Sequence, residues 1–164
     1  MKIRTITAVG VLALALAACG GSDDEAASKA IADSIMDSND ETFEVTQKQA
    51  DCVGDGFVED IGTDQLVEYG IITEDLKSDS TIDTVEMSKD DAQSAADVMQ
   101  DCADIKEIFA GAMGELPAEA QDCIDEKLTD DVLNKFLVAV FSNDQESGTQ
   151  ELTAALTECL TPQG

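Results

Sequence analysis

Of five cysteines, one, Cys19, stands apart near the N-terminus, and the other four, Cys52, Cys102, Cys123 and Cys159, constrain this chain more than any other feature. They are spread through the body of the sequence. No two stand as Cys-x-x-Cys, and the chain of 164 residues has no His at all. Zinc sites of the Cys and His type and thioredoxin-like redox pairs need one or the other. An even number of separated cysteines instead predicts two disulfides and an oxidising compartment. Four cysteines permit three pairings, and sequence similarity between the halves points to one. VTQKQADCV (45–53) parallels LPAEAQDCI (116–124), each with an aliphatic residue, a helix-start signal and then Asp-Cys-aliphatic. AQSAADVMQDCA (92–103) parallels TQELTAALTECL (149–160), each with apolar residues three and seven positions before the cysteine. Two copies of one unit, each closing its own loop, would pair Cys52 with Cys102 and Cys123 with Cys159.

Between the cysteines the apolar spacing is helical. Ala27, Ile31 and Ile35 share a face over 24–38. Thr46-x-x-Gln49 has the form of a capping box. Val53, Phe57 and Ile61 follow it at four-residue steps, and Gly62 is placed to end the helix. Thr63 is expected to cap a short helix carrying Leu66 and Val67, which Gly70 ends. Residues 71–87 are rich in Ser, Asp and Thr and read as an irregular segment, with a short strand pair allowed but not demanded. Ser88 starts a helix with Ala92, Ala95, Ala96, Met99 and Ala103 at i, i+3, i+4, i+7 and i+11. Asp104 starts another, with Ile105, Ile108, Phe109, Ala112 and Met113. Pro117 opens a helix carrying Ala120, Cys123 and Ile124. Thr129 opens the strongest stripe, Leu133, Phe136, Leu137, Val140 and Phe141. SNDQESGT (142–149) is expected to be a turn before a last helix with Leu152, Ala155, Leu156, Cys159 and Leu160. The expected fold is therefore all-α: a compact bundle of short amphipathic helices braced by two disulfides, built as a duplicated unit. The methionines and phenylalanines on the stripes are expected to be core.

The N-terminus follows a different logic. Lys2 and Arg4 precede an apolar run, Ile6 to Leu16, too short for a comfortable membrane span. It ends in Leu16-Ala17-Ala18-Cys19. This resembles the lipobox of bacterial lipoproteins. The resemblance implies a signal peptide over 1–18 and lipid attachment at Cys19. It also implies localisation at the cell membrane, facing outside the cytoplasm. Two or more acyl chains give stable anchoring. Gly20-Gly21-Ser22-Asp23-Asp24-Glu25 then reads as an acidic tether, so that 19–25 forms a lipid-anchored linker and 26–164 the helical domain. The Asp-Cys-Val, Asp-Cys-Ala and Asp-Cys-Ile segments at 51–53, 101–103 and 122–124 are similar to those of small acidic four-cysteine helical proteins exported by actinobacteria. That likeness implies a fold and no activity.

Charge excludes several functions. Once Lys2 and Arg4 leave with the signal, seven Lys face 36 Asp and Glu, a formal charge of −29. A surface of this sign does not bind nucleic acid, whose phosphates need Lys and Arg clusters. Without His there is no Ser-His-Asp triad or Cys-His pair. Without Arg the mature body lacks a bidentate clamp for phosphate or carboxylate. Catalysis by paired carboxylates or by a lone Lys is the enzymatic alternative left, and the chain is read as non-catalytic. No cofactor is expected. The acidic loops offer a further alternative, a divalent-cation module. EF-hand spacing fails at 37–44, where Thr42 replaces the turn glycine and Lys48 the closing Glu, and at 142–151 for want of a closing Glu in register. Asp79, Asp83 and Glu86 are the carboxylates best placed for an irregular Ca²⁺ site. The expected function is that of an anchored envelope lipoprotein whose helical domain binds another envelope protein.

Overall fold

The computed structural model describes residues 21–38, 45–78, 85–114 and 116–160. Among the described residues eight helices succeed one another: α1 (Asp23–Asp37), α2 (Gln47–Asp60), α3 (Thr63–Glu68), α4 (Lys89–Cys102), α5 (Ile105–Ala112), α6 (Ala118–Lys127), α7 (Asp130–Phe141) and α8 (Gln145–Leu160). Among the described residues there is no strand. One antiparallel bridge, Ile72 to Ser78, lies within the described part of the irregular segment. The all-α expectation stands, and both disulfides form as the repeat predicts, Cys52–Cys102 and Cys123–Cys159. Each bridges across one intervening helix: α2 to α4 over α3, and α6 to α8 over α7.

The helix starts follow from local hydrogen-bond chemistry. The first N–H groups of a helix lack intrahelical acceptors, so a side-chain oxygen at the preceding residue stabilises the start. Thr46 and Gln49 make the reciprocal capping box on α2. Ser88 accepts from the Asp91 N–H at 3.2 Å, Asp104 from Glu107 at 2.9 Å and Thr129 from Val132 at 3.3 Å, opening α4, α5 and α7. Gly62, at φ +93°, both ends α2 and precedes α3. The cap of α3 is thus Gly62 rather than Thr63, whose hydroxyl instead donates to Asp24 of α1 at 2.7 Å.

Two boundaries differ from expectation. α1 starts at Asp23, inside the segment read as tether; Asp23, Asp24 and Glu25 form its first turn, where carboxylates complement the positive helix end. α8 starts at Gln145, inside the segment read as a turn. Asp144 accepts from the Ser147 N–H at 3.3 Å and so acts as the missing cap signal. Gly148 is helical and buried, because α7 passes close enough that a Cβ there would lie 2.9 Å from the Ala139 Cβ. What resembled turn chemistry is a close helix–helix contact.

Packing is sequential. α1 lies along α2, α4 bridges α2 and α7, and α8 covers α7 and α6. Leu66, Ile72, Leu128 and Leu133 are the largest fully buried side chains. Phe57 of α2 meets Phe141 of α7 edge to face, ring centroids 6.0 Å apart, which ties the first half to the second. The α1–α2 and α2–α4 crossings are made close by glycine. A Cβ at Gly54 would collide with the Ser28 carbonyl of α1, and one at Gly56 would lie 2.6 Å from a Val98 methyl of α4. Phe141 is buried, as expected, while Met99, Met113 and Phe136 are half-buried against the core.

Candidate functional site

The interior is apolar. Ser28 is the only polar or charged residue buried among the described residues. Ionisable groups therefore act at the surface, where their arrangement distinguishes four regions.

The first is a polar seam between α4 and α7. Asn134 donates to Asp97 at 2.8 Å and to Gln100 at 2.9 Å, and accepts from Gln93 at 2.9 Å. Gln100 in turn donates to the Asp130 carbonyl. Every group has a partner within the protein, so the seam fixes helix register. The second is a pin across the irregular segment. The Tyr69 hydroxyl donates to Asp91 at 2.5 Å and accepts from the Ser88 N–H at 3.0 Å. Asp91, on the first turn of α4, is thereby a structural group.

The third region is α5. Its sequence, IKEIFAGA, has charge only at Lys106 and Glu107, yet Ile105 is its one buried residue. Ile108 and Phe109 are half-buried, and Ala110 and Ala112 are exposed. Phe109 stands edge-on to Phe136 of α7, centroids 5.3 Å apart. Met113 and Leu116 continue the apolar surface beyond the helix. Asp104 and Glu107 lie exposed beside it, and Lys106 reaches back to the Asp125 backbone carbonyl of α6.

The fourth is a depression around the first disulfide. Cys52 is exposed and Cys102 half-buried, with Asp51, Asp55, Glu59, Asp60 and Asp101 lining the same surface beside Lys48. The second disulfide differs: Cys159 is buried and Cys123 half-buried.

The sequence-predicted site residues fall as follows. Cys19, Asp79 and Asp83 lie outside the described residues. Glu86 is exposed, between buried Val85 and Met87. Among the described residues, no three His, Cys, Asp or Glu side chains converge as a metal site would require. Elsewhere on the surface, the helix-face carboxylates Asp125, Glu126, Asp130 and Asp131 are exposed. Asp131 holds Lys135 at 2.9 Å, and that hydrogen bond, with the charges of Asp131 and Glu151, raises the Lys135 pKa. Sequence reasoning missed the disulfide depression, although Asp51 and Asp101, each directly before a cysteine, were its visible trace. No helix among the described residues is long and apolar enough to cross a membrane. No family model, curated protein or solved structure matches the chain.

Proposed function

We infer that this chain is an exported lipoprotein, anchored through Cys19, whose helical domain is a non-catalytic interaction module at the cell envelope. The observation that carries the reading is Leu16-Ala17-Ala18-Cys19 followed almost directly by a disulfide-braced domain. Disulfides belong to an oxidising compartment, which agrees with export. Three residues separate Cys19 from the first residue of α1. That span extends to about 14 Å at most, so acylation would hold the body close to the bilayer surface.

The α5 surface supports the interaction role. A helix this apolar is normally covered. The partner that fits it combines an apolar contact with Lys and Arg around it, since the surrounding surface is acidic. A second copy of this chain would bring like charge against like.

The test is the N-terminal peptide of the membrane-isolated protein. Its mass should be that of a chain beginning at acylated Cys19, and Cys19→Ala should release the protein from the membrane fraction. An unacylated N-terminus elsewhere would end the reading. For the interaction surface, a photo-crosslinker at exposed Ala112 in intact envelopes should join a Lys- or Arg-rich peptide. The same probe at Thr153 on α8 should not.

A further inference from the structure

We propose that the Cys52–Cys102 disulfide is a charge-selective site of thiol exchange, open to neutral and cationic thiols and closed to anionic ones. Three observations carry this. The disulfide lies at the surface, with Cys52 exposed, whereas Cys159 buries one end of the other bridge. Five carboxylates, Asp51, Asp55, Glu59, Asp60 and Asp101, line the depression that contains it, against the single ammonium of Lys48. Cys102 is the last residue of α4, at the negative end of the helix.

Exchange begins when a thiolate attacks a disulfide sulfur. Exposure directs the attack to the Cys52 Sγ. A bond forms between the incoming sulfur and Cys52, the Cys52–Cys102 bond breaks, and Cys102 leaves as a thiolate that takes a proton from water. A second thiolate then attacks the incoming thiol's own sulfur in the mixed disulfide. This releases Cys52 and the oxidised thiol, so two small thiols supply the two electrons that reduce the protein disulfide. The helix end at Cys102 disfavours its departure as an anion, which slows exchange with every thiol alike. The carboxylates add discrimination. The attacking sulfur is always negative, but a thiol whose other end is cationic approaches with no net charge, whereas a sulfonate or carboxylate thiol approaches with two negative charges. Repulsion from several carboxylates at surface dielectric separates the two approaches. In an oxidising compartment the consequence is an accessible bridge that anionic thiols leave intact.

The full chain would be treated with three thiols, cysteamine (cationic), 2-mercaptoethanol (neutral) and 2-mercaptoethanesulfonate (anionic). Released cysteines would be alkylated and located by mass spectrometry. Rates are normalised to those with a small uncharged disulfide, which removes intrinsic thiol reactivity. Cys52–Cys102 should open before Cys123–Cys159. Cysteamine should exceed the sulfonate by about tenfold where the Debye length is long, and the ratio should fall towards one in ~1 M salt. Asp51→Asn with Asp101→Asn should narrow the ratio. Glu146→Gln with Glu151→Gln on α8, beyond α7, removes the same charge and should leave the ratio unchanged. Prior opening of Cys123–Cys159, equal normalised rates, or a ratio indifferent to salt would overturn the proposal. An equal effect of the two variant pairs would do so too, because it would assign the selection to overall charge rather than to this depression. Where a variant fails to fold, the unaltered protein still tests the proposal: the cysteamine-to-sulfonate ratio should be larger at Cys52–Cys102 than at Cys123–Cys159, and equal ratios at the two bridges would overturn it.

Discussion

The Ser28 hydroxyl of α1 donates to the Asp55 carboxylate of α2 at 2.5 Å, one residue from the point where Gly54 lets the Ser28 carbonyl approach the α2 backbone. The two contacts on Ser28 have unequal weight. Asp55 is exposed and regains water when its partner is removed. Gly54 is buried and its neighbour is main chain, which cannot rotate away. Gly54→Ala should therefore destabilise the domain by ~2–3 kcal/mol, as overpacking does. Ser28→Ala should cost about 1 kcal/mol, the net value of one hydrogen bond. Urea unfolding of both variants checks this. A Ser28→Ala cost above that of Gly54→Ala would contradict the close-approach account.

Tyr69 fixes the irregular segment at its far end. Its hydroxyl is at once a donor to Asp91 and an acceptor from the Ser88 N–H. Tyr69→Phe keeps the ring and removes both bonds, one of them to a carboxylate. A loss of ~1–2 kcal/mol is expected. Because Ser88 is also the α4 cap, amide exchange should quicken first at Lys89 to Asp91. Uniform acceleration across the domain would instead assign Tyr69 to the global core.

These two contacts show what was legible in the sequence. The helices, most of their caps and the disulfide pairing were readable because each rests on local periodicity or on a repeat: Thr46 with Gln49, Ser88, Asp104, Thr129. The failures lie where a residue type has two uses. Gly148 within SNDQESGT matched turn composition, yet its lack of a side chain serves the approach of Ala139. Asp23 to Glu25 matched an acidic tether, yet they are also the residues that favour a helix N-terminus. Asp91 could not be told from Asp90 or Asp97, because its partner Tyr69 is 22 positions away. The depression around Cys52 was hidden for the same reason, since its carboxylates come from both α2 and α4.

The disulfides should contribute comparably to stability. They close loops of sequence separation 50 and 36. In the loop-entropy treatment each bond is worth about 4 kcal/mol, because the dependence on length is logarithmic. Cys52→Ala with Cys102→Ala and Cys123→Ala with Cys159→Ala should lower the unfolding free energy by similar amounts. The exposed pair is the better tolerated in packing terms, since Cys159 also fills the core. A much larger loss from the Cys52 and Cys102 pair would mean that the bridge holds α2 against α4 by more than chain entropy.

The acidity itself makes the last prediction. A body carrying 36 carboxylates repels itself, and any salt that screens it should raise the melting temperature. The described residues place their carboxylates on helix faces and in surface contacts, without three of them converging. The expected result is therefore that millimolar Ca²⁺ and a monovalent salt of equal ionic strength raise the melting temperature equally. A greater rise with Ca²⁺ would reveal coordination. If Asp79→Asn with Asp83→Asn abolished the excess, the site would be the 79–86 segment and the domain would be a cation-binding module. If the excess survived that change, divalent ions would be bridging the helix faces. The Asp125, Glu126, Asp130 and Asp131 group would then be the next to neutralise.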